Sequence, residues 1–110
     1  YQHVVPMAVQ HAAADHVVLG GAGFELTIHA IPHRIAQGIT IAEPPALRDE
    51  TPIKLILPVP SLAEARRRAP AWGGGLGPVG REWAAQGWRA CDGHDPEGNV
   101  VQFREASAGA

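Results

Sequence analysis

The stretch Asp92-Gly93-His94-Asp95-Pro96-Glu97-Gly98-Asn99-Val100-Val101-Gln102-Phe103-Arg104-Glu105 reads as a tight polar turn feeding a terminal strand. Asp95 and Asn99 have side chains that bond nearby backbone, Pro96 fixes one φ angle, and Gly98 supplies the freedom that a reversal needs. Beyond the turn, Val101 and Phe103 alternate with Gln102 and Arg104, which predicts a strand with one apolar and one polar face. His94 falls at the tip of the turn and is expected to be solvated.

Working back from the turn, Gly87 to Cys91 and Val79 to Trp83 read as two further strands, with Trp83 and Trp88 flanking a short turn at Ala84 to Gly87. The glycine-rich run Gly73 to Gly77 follows a predicted helix and lacks the Gly-Lys-Ser/Thr ending of a phosphate loop, so it reads as a flexible turn. Ser61 and Glu64 form the S-x-x-E pattern of a capping box, which predicts a helix beginning at Leu62. Leu62, Ala65, Ala69 and Trp72 recur at helical spacing and are assigned to the core, while Arg66, Arg67 and Arg68 point to water. Pro70 ends or kinks this helix near Ala69. Ile53 to Val59 is expected to be a strand with Leu55, Leu57 and Val59 on one face.

In the first part of the chain, His3 to Val9 reads as a strand, placed at an edge or bulge by Pro6. Asp15 to Ala30 reads as a hairpin through Gly20-Gly21-Ala22-Gly23. Phe24, Leu26 and Ile28 lie on one face of its second strand, with Glu25, Thr27 and His29 on the other. Residues 31 to 51 hold Pro32, Pro44 and Pro45 and read mainly as a connector, with a short strand at Ile39 to Ile41. The hairpins at Asp15 to Ala30 and Gly87 to Glu105 share one plan, as two repeated modules would.

Asp-Pro-Glu-Gly-Asn followed by Val-Val-Gln-Phe resembles the closing hairpin of the vicinal oxygen chelate superfamily, which includes glyoxalase I, extradiol dioxygenases and the bleomycin and fosfomycin resistance proteins. The resemblance covers Thr51 to Glu105 as one β-α-β-β-β module and Gln2 to Ala30 as part of another. It implies an α+β fold of paired modules forming a concave mixed sheet, with the first module lacking its initial strand and helix. One domain then comprises residues 1–30 as the partial module, 31–51 as connector, 52–105 as the second module and 106–110 as a tail.

The same resemblance places Glu25 at a metal-ligand position, because Phe24-Glu25-Leu26-Thr27 is similar to the metal-bearing strand of glyoxalase I. Lys54 stands where a His or Glu would begin the second module, and Gln102 where a Glu would close it. A protonated ammonium group cannot ligate and an amide oxygen replaces a carboxylate poorly, so no metal cofactor is expected. A divalent metal would require ligands from the absent strand. If Lys54 converges with Glu25, it provides a positive charge for an anionic or enolate-like oxygen, with Glu25 as base; the alternative is a structural salt bridge between them. His29 shares a face with Glu25 and Thr27 and is the acid-base candidate among the histidines, or else a pocket wall. Trp83 and Trp88 either line a ligand pocket or anchor the core. Cys91 is assigned to the interior.

The chain has 110 residues, enough for one domain with a genuine core. A formal charge of -2 gives no electrostatic case for nucleic acid or a membrane surface, and no segment has the ~20 apolar residues of a membrane span. A single cysteine fits a cytoplasmic setting. The expected partners are a small organic ligand and a second copy of the chain in a homodimer. Two functions stand side by side: proton-transfer or isomerisation chemistry at Glu25, His29 and Lys54, or sequestration of an antibiotic or metabolite without turnover. A metal-dependent lyase or dioxygenase is the third.

Overall fold

The computed structural model describes residues 1–21 and 23–107. Ala22, in the first hairpin's turn, and the end of the tail lie outside the described residues. The fold is α+β, mostly strand, and its strands fall into two sheets.

The first sheet is an antiparallel meander of β1 (Ala8–Ala12), β2 (His16–Gly21) and β3 (Phe24–His29). Its register pairs Leu19 with Leu26 and Val17 with Ile28, while Val18 faces Thr27 and Gly20 faces Glu25. Side chains alternate across a strand, so one face carries the apolar pairs and the other carries Glu25, Thr27 and His29. The strand expected over His3 to Val9 begins only at Ala8. The preceding residues form turns in which both Val4 and Val5 donate to Tyr1 O, and Val5 and Met7 drop into the core.

The second sheet comprises β4 (Ile56–Pro58), β5 (Gly75–Leu76), β6 (Trp83–Ala85), β7 (Trp88–His94) and β8 (Val100–Ala106), in the order β4-β8-β7-β5 with β6 also on β7. β4 runs parallel to β8, and the other pairs are antiparallel. Parallel neighbours need a crossover, and here it contains α2 (Leu62–Arg68) followed by a 3-10 turn at Ala69–Trp72. Ser61 caps α2, its Oγ accepting from Glu64 N at 3.1 Å. The Glu64 carboxylate does not complete the expected box; it pairs with Arg67 and Arg68 one turn along. Ser61→Ala removes the cap and is expected to cost about 1 kcal/mol in urea unfolding.

One core joins the two sheets: Leu57, Cys91, Val101 and Phe103 from the second sheet meet Leu62 and Ala65 of α2, with Val5, Met7 and Leu19 from the N-terminal part. Several expectations are corrected by this packing. Trp72 is 54% exposed, because the 3-10 turn rotates it out of the helical stripe, and its ring stacks on His3 with centroids 3.6 Å apart. Arg66 is not solvated: its Nε donates to Gly77 O at 2.8 Å and its Nη2 pairs with Glu82 at 2.5 Å.

Other boundaries shift for local reasons. The strand predicted over Ile53 to Val59 shortens to Ile56–Pro58, with Gln102 N still donating to Leu55 O and Ile53 left 77% exposed. Val79 to Trp83 becomes a 3-10 turn at Val79–Arg81 after Pro78, and the strand starts at Trp83. Gln86 and Gly87 have φ of 44° and 87°, the two left-handed positions of a type I′ hairpin joining β6 to β7. Gly75–Leu76 is paired strand where a flexible turn was expected. The reason is backbone approach: a Cβ on Gly93 would lie 2.4 Å from Gly75 O. Ile39 to Ile41 forms no strand; the connector instead holds α1, a single turn at His33–Ala36, and an isolated bridge from Arg48 to Asn99.

Candidate functional site

The expected turn at Asp95–Asn99 forms with its Asp as the organising group. Asp95 Oδ1 accepts from Glu97 N at 3.0 Å and Asn99 N at 2.9 Å, and Oδ2 accepts from Asn99 Nδ2 at 2.8 Å and Tyr1 Oη at 2.7 Å. Burial disfavours the anion, yet the bonds from Asn99 and Tyr1 hold this carboxyl below its ordinary value. His94 is not a free turn tip: it closes β7, is half-buried and bonds Asp95 O through Nδ1 at 2.9 Å.

β7 and β8 leave this turn with a register that sorts their side chains. Asp92 faces Gln102, which faces Ile56; Trp83 faces Ala90, which faces Arg104; and Trp88 lies two and four residues before Ala90 and Asp92. All of these lie on the side opposite α2 and the core, since Cys91, Val101 and Phe103 occupy the other side. The open face therefore carries two tryptophans, 38% and 37% exposed for Trp83 and Trp88, around a polar centre. In that centre Lys54 Nζ meets Asp92 Oδ2 at 3.0 Å, and Gln102 Oε1 accepts from Arg104 Nε at 2.5 Å. Asp92 Oδ1 is buried and accepts no hydrogen bond from the described residues.

The structure thus brings Lys54 and Gln102 together with Asp92 rather than Glu25, with Trp83 in the adjoining groove and Trp88 on the same face four residues along β7. Glu25 sits exposed on the first sheet and makes no ion pair among the described residues. The expected Lys54–Glu25 contact is corrected to Lys54–Asp92, because Gln102 pairing places Asp92 directly across the sheet from the segment that bears Lys54. Thr27 and His29 line a different groove of about 460 Å³, with Leu26, Ile28, Ile53 and Leu55 as its apolar wall. A second groove of about 360 Å³ lies against the open face, bounded by Leu47, Asp49, Arg81, Trp83, Asp92 and His94.

Asp92 is the residue that sequence reasoning missed, having been read as part of the turn. The signal was the alternation Trp88, Ala90, Asp92, His94 carried through to the end of β7. No three His, Cys, Asp or Glu side chains cluster as a metal site among the described residues. In the polar centre the Asp92 carboxylate is tied to the Lys54 ammonium and the Gln102 amide to Arg104. No helix among the described residues is long and apolar enough to cross a membrane. No family model matches this chain, and no curated protein matches it.

Proposed function

We propose that this protein binds a small organic ligand on the open face of its second sheet, as a relative of the glyoxalase and bleomycin-resistance branch of the vicinal oxygen chelate superfamily. The observation that carries this reading is a groove of about 360 Å³, within the range of small-molecule sites, lined by Trp83 and Asp92, with Lys54 bonded to Asp92 and with Gln102 and Trp88 on the same sheet face. The family reading is supported by the strand order β4-β8-β7, with β4 and β8 parallel across a helical crossover, and by the Asp95–Asn99 turn. In this reading Trp83 and Asp92, which line the groove, hold and orient the ligand, the indole by apolar area and the carboxylate by directed hydrogen bonds.

Binding without turnover is favoured over proton-transfer chemistry. The ammonium of Lys54 is already matched by Asp92, which weakens it as a stabiliser of developing negative charge, and Glu25 stands outside the polar centre. A homodimer in the cytoplasm belongs to the same proposal. It is supported by Ile53 and Ile56, exposed where β4 has only β8 as a strand neighbour, and by the buried lone Cys91.

The test is a thermal-shift screen of aromatic small molecules against the wild-type protein and Trp83→Ala. Compounds that stabilise the wild type are expected to bind the variant about tenfold more weakly and to be recovered chemically unchanged. Equal binding by the variant removes the open face as the site. Stoichiometric product moves the enzymatic reading to first place.

A further inference from the structure

The acceptor capacity of Asp92 is largely unused. An ionised carboxylate offers about four acceptor positions, and in this structure the only side-chain donor to Asp92 among the described residues is Lys54 Nζ, at 3.0 Å on Oδ2. Buried carboxylate oxygens normally have partners, and Oδ1 has none among the described residues. The side chain remains 42% exposed and lines the groove. Aspartate χ2 is a soft, nearly two-fold torsion, and a modest rotation presents either oxygen there.

Trp83 lines the same groove, with its ring partly exposed. An indole face attracts cations, and a carboxylate makes its strongest hydrogen bonds to charged nitrogen donors. Both features select the same chemistry; of the other charged groups lining the groove, Asp49 favours a cation and Arg81 opposes it. The one cation already at Asp92 is the flexible Lys54, half-exposed and able to yield its place. Leu47 adds an apolar wall suited to a flat hydrocarbon body.

We propose that this groove takes organic ammonium ions carrying a flat apolar ring, with the nitrogen donating to the Asp92 carboxylate and the cation held against the Trp83 indole. This assignment rests on the open face being the ligand site, and it adds the charge class that the site selects. Lys54 acts as a competing internal cation that the ligand displaces.

The experiment titrates 2-naphthylmethylamine, 2-naphthalenemethanol and 2-naphthoate into the full chain, following the indole N–H resonances of Trp83 and Trp88 by NMR. The amine is expected to bind about tenfold more tightly than the alcohol, with the carboxylate weakest. Asp92→Asn is expected to bring amine and alcohol to within about twofold of each other, with the dispersion of its amide NMR spectrum showing that the variant is folded. Lys54→Met is expected to strengthen amine binding, because the internal competitor is gone. Alcohol or naphthoate binding as tightly as the amine at the Trp83 resonance overturns the ammonium assignment and keeps the site. If none of the three probes moves the Trp83 or Trp88 resonances, the site itself falls, and the assignment falls with it.

Discussion

Gly98→Ala is expected to lower the free energy of unfolding by about 3 kcal/mol or more, the combined scale of a strained left-handed backbone and an overpacked contact. Gly98 has φ of +85°, and a Cβ built on it would lie 2.0 Å from Ala46 O. That neighbour is backbone and cannot rotate away. It belongs to the connector, which docks on the turn through Arg48 N donating to Gly98 O at 2.7 Å and the Arg48–Asn99 bridge. Gly23 is the internal control: its φ is +82°, but no described atom would lie within 4 Å of an added Cβ. Gly23→Ala is therefore expected to cost only about 1 kcal/mol, the conformational part alone. Urea unfolding of both variants checks the difference; equal losses would show that the connector does not press on the turn.

Glu82→Gln is expected to destabilise the protein by about 3 kcal/mol, at the lower end of what breaking a buried ion pair costs, because its partners keep some solvent. The carboxylate is 7% exposed and joins two guanidinium groups, accepting from Arg89 Nε at 2.6 Å and Arg66 Nη2 at 2.5 Å. Arg66 in turn holds Gly77 O, so the pair ties α2 to the segments on either side of the Val79–Arg81 turn. The Arg89 hydrogen bond lowers the Glu82 pKa from 4.5; burial opposes the shift and Arg66 reinforces it. With the folded value below the unfolded one, this contribution is fully present above pH 4.5 and is lost as the pH falls through the folded value. The gap between wild type and Glu82→Gln should therefore be widest near neutrality and should close in acid. A gap that stays constant down to pH 3 would mean that the carboxylate charge is not what Glu82 contributes.

Much of the second sheet was legible because its instructions are local. The Asp95–Asn99 turn, the alternation of Val101 and Phe103, the Ser61 cap and the Pro70 stop each act within a few residues of themselves, and each produced the expected element. The Phe24–His29 alternation likewise put Glu25, Thr27 and His29 on one face. Arg66 could not be read correctly, because it sits in a run of identical charges and only the return of Glu82 from beyond the glycine run distinguishes it from Arg67 and Arg68. Trp72 was misplaced because helical spacing was extended through Pro70, where the chain tightens into a 3-10 turn.

The candidate site divides along the same line. The sequence by itself determined which side chains share a strand face, since a period of two residues needs no knowledge of the neighbouring strand. It therefore grouped Glu25 with His29. Which faces meet was decided only by the tertiary structure, because pairing register depends on contacts between residues far apart in the chain. The pairing of Asp92 with Gln102 across β7 and β8, and the arrival of Lys54 from 38 residues away, created a polar centre that no local pattern encodes.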